Sequence, residues 1–296
     1  MKILIAGSNG MIGTAVTHHL IECGYDVVRL VRHTPSPGEV WWDPDADEID
    51  KAGLEGFDGV VHLATMPWPM RWTAKAKQQM SLNRLTTNRL LTESLAACEH
   101  KPRVLICASG MGYYPSSGDT VLTEDSPAGT SFLARLQRDG EASTAKASEA
   151  EIRVVHLRIP PVLGGAALQR LGFQAGNGQQ WMSWVGRDEL ASIIEYALTT
   201  EMLTGPLNAV SPNPLHNAEF AKVATKVLAH KSVNTLPAFL VRLVMGEMGE
   251  ELILASRRIQ PAKLLAAGYV FRFPKLEAAL QHELDIINAD KVPAER

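Results

Sequence analysis

The sequence predicts an α/β fold, a doubly wound parallel sheet followed by a smaller, mostly helical C-terminal region. Three observations carry that prediction. Short apolar runs alternate with longer helical patterns over about the first 160 residues. The first of them, residues 2–6, lacks polar alternation, as strands buried on both faces do. Beyond them the alternation lapses and prolines punctuate the chain, at Pro160, Pro161, Pro206, Pro212, Pro214, Pro237, Pro261 and Pro274.

Residues 2–6 predict the first strand. Residues 11–23 predict a helix, with Ile12, Ala15, Val16, Leu20 and Cys23 along one face. Strands are expected over 25–31, 39–42 and 59–64. A helix over 74–98 follows, carrying Leu82, Leu85, Leu90, Leu91 and Leu95. Residues 103–108 predict a fifth strand, 132–149 a helix and 152–159 a sixth strand. Such alternation implies crossovers that cover both faces of a parallel sheet. Residues 164–180, rich in Gly and Gln, read as a loop. Helices are expected over 188–199, 218–229, 236–245 and 253–267, the last ended by Gly268, and a short strand over 207–210. Residues 1–163 are therefore the sheet domain, to which 181–211 return. Residues 164–180 and 212–296 form a cap beside the carboxyl edge, where open α/β sheets place ligands.

The chain has 296 residues, a formal net charge of -3, 46% hydrophobic and 21% charged residues. That balance excludes a disordered chain and the basic footprint of a nucleic-acid binder. No apolar run approaches the roughly 20 residues of a membrane span, and Gly7, Gly10 and Gly13 interrupt the opening apolar run before a signal-peptide core develops. Cys23, Cys98 and Cys107 are odd in number and far apart. They are expected as inert core thiols in the reducing cytoplasm. The expected partner is a small molecule, with no nucleic acid and no membrane.

Gly7-Ser8-Asn9-Gly10-Met11-Ile12-Gly13 joins the first strand to the first helix. Gly7 permits the tight turn, Gly10 lets backbone approach a pyrophosphate, and Gly13 allows close helix packing. The helix N-terminus adds unpaired N–H groups and a partial positive charge. This makes the sheet Rossmann-type. Around the end of the second strand the sequence reads Val28-Arg29-Leu30-Val31-Arg32-His33, without an acid to hold the ribose 2′-hydroxyl of NAD. Arg32 is instead placed to pair with the 2′-phosphate of NADP.

Further stretches carry a resemblance. They are Val60-Val61-His62-Leu63-Ala64, Arg71-Trp72-Thr73, Ser109-Gly110-Met111-Gly112-Tyr113-Tyr114, Leu122-Thr123-Glu124-Asp125-Ser126-Pro127, Trp181-Met182-Ser183-Trp184, Gly205-Pro206-Leu207-Asn208 and Pro261-Ala262-Lys263-Leu264-Leu265. With the glycine loop they resemble the extended short-chain dehydrogenase/reductase superfamily. Within it they are similar to the YfcH-like epimerase family proteins (short-chain dehydrogenase family 39U), with their C-terminal domain of unknown function. The resemblance implies NADP(H) binding through Gly7–Gly13, Arg32, Leu63 and Ala64, and an epimerase or oxidoreductase label that the family itself carries by similarity.

Redox chemistry in that superfamily uses a Tyr-x-x-x-Lys pair and a Ser. No tyrosine here has a lysine four residues on: Tyr25 precedes Arg29, Tyr113 Ser117, Tyr114 Gly118, Tyr196 Thr200 and Tyr269 Phe273. Against the superfamily pattern the pair falls on Leu136 and Gly140. Ser109 and Tyr113 remain as the candidate catalytic residues. Two functions stay open, an NADP(H)-dependent oxidoreductase or epimerase, and a non-catalytic NADP(H)-binding sensor or scaffold. Of the other candidates, His62 reads as a core or loop residue, and adjacent His18 and His19 as no metal site. Trp181 and Trp184 read as pocket walls, Glu124 and Asp125 as solvated, and Arg257 and Arg258 as a solvated helix face or a local anion site.

Overall fold

The computed structural model describes residues 1–66, 71–165, 168, 171–230 and 232–289. Parts of the expected 164–180 and 212–296 segments lie outside the described residues. Eight strands form one sheet: β1 (Lys2–Ala6), β2 (Asp26–Val31), β3 (Glu39–Asp43), β4 (Glu48–Ile49), β5 (Gly59–His62), β6 (Val104–Gly110), β7 (Arg153–Ile159) and β8 (Gly205–Asn208). Their order is β8-β7-β6-β5-β1-β2-β3-β4. Every pairing is parallel except β3 with β4.

The unbroken apolar strands are explained by two cores. Ile3 and Ile5 point to one face, where α1 (Met11–Glu22) supplies Val16 and Leu20 and α5 (Arg187–Thr199) supplies Leu190, Ile193 and Ile194. Leu4 and Ala6 point to the other, against Leu90, Leu91 and Leu95 of α2 (Ala74–Ala96). Successive residues of one strand thus serve opposite cores. Leu82 and Leu85 of α2 are exposed, against expectation. The buried face of that helix includes Thr87, Asn88 and Thr92.

Several boundaries differ from the sequence reading. The strand β4 pairs with β3 through a turn in which Asp43 Oδ1 accepts from the amides of Asp45 and Ala46. Two residues are too few to leave a periodic signal. The expected helix over 132–149 is two, α3 (Phe132–Ala142) and α4 (Ala145–Glu149). Ser143 and Thr144 donate their hydroxyls back to the carbonyls of Gly140 and Glu141, ending the first helix. The expected loop over 164–180 contains a strand, Phe173–Ala175, paired with Asn234–Leu236.

The cap carries α6 (Asn217–Val227), α7 (Ala238–Met245), α8 (Ala262–Ala266) and α9 (Leu276–Ala289). The helix expected over 253–267 shrinks to α8. Pro261 disfavours helical backbone at Gln260, and Arg258–Ile259 instead pairs with Val121–Leu122. Gly268 does end it, at φ +82°. A separate cap core joins Trp184, Phe220, Ala224, Leu276 and Leu280, so Trp184 packs the cap rather than walling a pocket. No described helix is long and apolar enough to cross a membrane.

Candidate active site

The chain reverses direction across the sheet between β1 and β5, which opens a crevice at their carboxyl ends. A cavity of about 670 Å³ occupies it. Gly7, Gly10, Met11, Ile12 and Gly13 line it, with Arg32, Leu63, Ala64 and Ser109. Nine of the twelve residues singled out from the sequence therefore meet in one place. Ser8 is buried behind the loop, where its carbonyl accepts from Thr14 Oγ1 at 3.3 Å. Asn9 is exposed.

The three glycines differ in why they are small. Gly7 turns at φ +84°, and a Cβ there would stand 2.7 Å from the Ala64 amide nitrogen. A Cβ at Gly13 would stand 2.0 Å from the Gly7 carbonyl oxygen. At Gly10 the nearest protein atom would be 3.6 Å away. The protein tolerates a side chain at Gly10, so only an occupant of the cleft requires its absence. Helix α1 has no side-chain cap and no acid in its first turn. Its N–H groups are left for an anion. These residues fit a pyrophosphate-bearing ligand.

Arg32 stands at one end of the cleft, half-exposed, 3.3 Å from Asp45 Oδ2, with its guanidinium 5.9 Å from the Trp42 ring. Asp45 arrives from the β3–β4 turn, so reading to the end of the second strand missed it. His62 is buried edge-on to Trp42. Burial pushes its pKa down to about 3, which keeps the ring neutral.

At the other end Ser109 donates to Glu141 Oε1 at 2.7 Å. Arg158 holds the same carboxylate with Nε and Nη2, both at 2.9 Å. Its Nη1 reaches the Tyr114 hydroxyl at 2.8 Å, and that hydroxyl donates to Asn208 Oδ1 at 2.7 Å. Burial pushes Tyr114 up to about 12. Tyr113 is half-buried with its ring 3.4 Å from the Arg158 guanidinium carbon. It is not among the residues lining the cleft. The structure thus brings Ser109 to the cleft and turns Tyr113 toward Arg158.

The pair positions are also accounted for. Leu136 is buried with Trp72, Met80, Phe132 and Leu133. Gly140 faces Arg84, whose Cγ would stand 3.0 Å from a Cβ there. Arg84, with Asn83 and Thr87, lines the cleft from α2, and its Nη1 donates to the Ala108 carbonyl at 2.7 Å. Gln137 lines both this cleft and a second, mostly apolar cavity of about 300 Å³. Met111, Leu133, Leu252 and Ile253 wall the second cavity; Gly110, Ile159 and Pro160 are shared.

Sequence reasoning missed Arg84, Gln137, Glu141 and Arg158. The polar run of Asn83, Arg84, Thr87 and Asn88 among the leucines of α2 was the available signal for the first. Nothing local joins Glu141 to Arg158. Three further expectations are corrected. Glu124 is buried, its Oε1 accepting from the amides of Asn208 and Lys263. Arg257 is buried and donates to the carbonyls of Tyr114 and Glu251, while Arg258 covers the Trp181 ring. Cys23 is exposed, unlike Cys98 and Cys107. It lies with His19 and Glu195, their ligand atoms within 4.8 Å of one another.

Comparison with known proteins gives a consistent picture. Residues 3–166 match the NAD dependent epimerase/dehydratase family, and residues 236–283 match a domain of unknown function (DUF1731). An epimerase family protein of Mycobacterium leprae is 35% identical over 292 residues, covering 95% of this chain and 94% of the relative. The human epimerase family protein SDR39U1 is 32% identical over 295 residues, covering 95% and 99%. The crystal structure of human SDR39U1 (isoform 2) with NADPH superposes with a TM-score of 0.84 at 30% identity, covering 96% and 99% of the two chains. A nucleoside-diphosphate sugar epimerase from Corynebacterium glutamicum superposes at 0.81 with 34% identity, covering 96% of this chain and 58% of that one.

Proposed function

The chain belongs to the NAD dependent epimerase/dehydratase family, and from that premise we propose that it binds NADP(H) and acts as an oxidoreductase on a small, largely apolar carbonyl or alcohol. The observation that carries this reading is the apolar cavity adjoining the Ser109 end of the cleft. A nucleoside diphosphate is held by cations or by the free amides of a helix N-terminus. The one arginine on that wall, Arg257, already donates to two backbone carbonyls.

Gly7–Gly13 would hold the pyrophosphate, beside Leu63 and Ala64, and Arg32 the 2′-phosphate. The exposed Arg32–Asp45 pair is worth only about 0–1 kcal/mol, so a phosphate displaces Asp45 readily. The human relative's structure with NADPH supports the choice of NADP. Such a cofactor supplies or takes up a hydride. Ser109 gives its own proton to Glu141, so it meets a substrate hydroxyl as an acceptor. The proton of the reduced oxygen then comes from solvent.

A second reading, an NADP(H) sensor or scaffold without turnover, is favoured by one observation. Ser109 is committed to Glu141, and Tyr113 does not line the cleft. Titration with NADPH and NADH, followed by tryptophan and nicotinamide fluorescence, tests the common part. NADPH should bind at least about tenfold tighter, a gap of roughly 1.4 kcal/mol, and Arg32→Ala should erase the difference. If neither nucleotide binds, both readings fail. A carbonyl screen with NADPH then separates them: turnover supports the oxidoreductase, and its absence across apolar aldehydes and ketones supports the sensor.

A further inference from the structure

The superfamily pattern would place a lysine at position 140, and the chain has glycine there. The space is not empty. The Arg84 stem fills it, close enough that a Cβ on Gly140 would meet Cγ at 3.0 Å and Cδ at 3.3 Å. Helix α2 therefore delivers a cation to the place from which α3 would have sent one. The fit is mutual, because any longer side chain at 140 would push Arg84 away.

We propose that Arg84 is the positioning residue for the nicotinamide-side ribose, donating to its hydroxyl oxygens, and that Gly140 is glycine to admit it. The inference rests on the NADP(H) reading above. Three observations direct it to that group. Arg84 lines the cleft at the Ser109 end, whereas the glycine loop and the start of α1 offer the anion site. One guanidinium nitrogen is anchored on the Ala108 carbonyl at 2.7 Å, which fixes the plane of the fork. Among the described residues no carboxylate stands within ion-pairing distance of it; Glu141, the nearest acid on α3, is taken by Arg158 and Ser109. A planar guanidinium with N–H groups left over matches a pair of adjacent hydroxyl oxygens. Desolvation holds Arg84 below the ordinary arginine pKa, as expected of a cation whose partner is a ligand.

The test compares three probes on the full chain by isothermal titration. They are NADPH, 2′-phospho-ADP-ribose, which keeps the second ribose without the ring, and 2′-phospho-ADP, which lacks that ribose. Arg84→Ala should weaken the first two by about 10- to 100-fold, the usual cost of lost hydrogen bonds to a charged group. It should leave 2′-phospho-ADP within about twofold. Equal loss for all three, in Arg84→Ala and in the milder Arg84→Gln, overturns the proposal, because the cation then serves the phosphates or the fold. Loss for NADPH alone also overturns it, because the cation then serves the ring. Wild-type protein that binds none of the probes sinks the NADP(H) reading itself. A graft adds an independent arm: Gly140→Lys alone should weaken NADPH by crowding Arg84, and Gly140→Lys in the Arg84→Ala background should restore part of the loss. A double variant no better than Arg84→Ala contradicts the exchange of one cation for the other.

Discussion

Glu141 is the most heavily used carboxylate at the site, and its removal has a calculable cost. Arg158 is only 3% exposed at its side chain, and Glu141 12%. Two Arg158 nitrogens at 2.9 Å and the Ser109 hydroxyl at 2.7 Å all end on Glu141. Glu141→Ala strips the counter-charge from a buried cation and leaves it the Tyr114 hydroxyl, the Glu124 carbonyl and the Tyr113 ring. Breaking a buried pair in this way costs about 3–5 kcal/mol. At roughly 2–4 °C per kcal/mol for a chain of this class, the midpoint should fall by about 10 °C. Glu141→Gln keeps the shape and a Ser109 acceptor, so it should fall between. Replacing both partners, as Glu141→Ala with Arg158→Met, should recover at least half of the loss, because no charge is then stranded. Urea and thermal unfolding, both followed by tryptophan fluorescence, read all three. A cost below about 1 kcal/mol for Glu141→Ala, or a double variant worse than either single one, would refute the charge-balance argument.

Two other predictions concern the loop and pH. Gly13→Ala places a methyl 2.0 Å from the Gly7 carbonyl, so the loop must move. It should lose about 1–3 kcal/mol of stability and at least tenfold in NADPH affinity, whereas Gly10→Ala, with no protein atom within 3.6 Å, should weaken NADPH while leaving the urea midpoint almost unchanged. Equal stability losses at the two positions would contradict the division of labour between them. His62 stays neutral in the fold with its pKa near 3, while the unfolded chain protonates it below about 6.5. The unfolded state then binds more protons, so stability falls as pH drops from about 6.5 toward 3, by up to about 1.4 kcal/mol per pH unit. His156, also lowered by burial, acts in the same direction. His62→Gln should flatten the loss measured between pH 7 and pH 5; an unaltered slope would show that other groups control it.

The glycine-loop end of the cleft was legible in the sequence because its determinants are local. Gly7, Gly10 and Gly13 act through their own backbone and lie within seven consecutive residues, and Arg32 directly follows the next strand. The apolar runs of β1, β5 and β6 were legible for a similar reason, since burial on both faces leaves no polar alternation to misread. The two-residue strand β4 and the split of α3 from α4 were not, because side-chain hydrogen bonds of Asp43, Ser143 and Thr144 decide them.

By itself the sequence determined the order of the main strands and helices, the glycine loop and the absence of the tyrosine–lysine pair. Tertiary structure alone decided what stands in that pair's place. Arg84 meets Gly140 across 56 positions of chain, and Ser109, Glu141 and Arg158 converge from a strand, a helix and the next strand. No periodicity or spacing encodes such meetings. They follow from the distances at which helices pack on a sheet, which exist only once the two cores have closed.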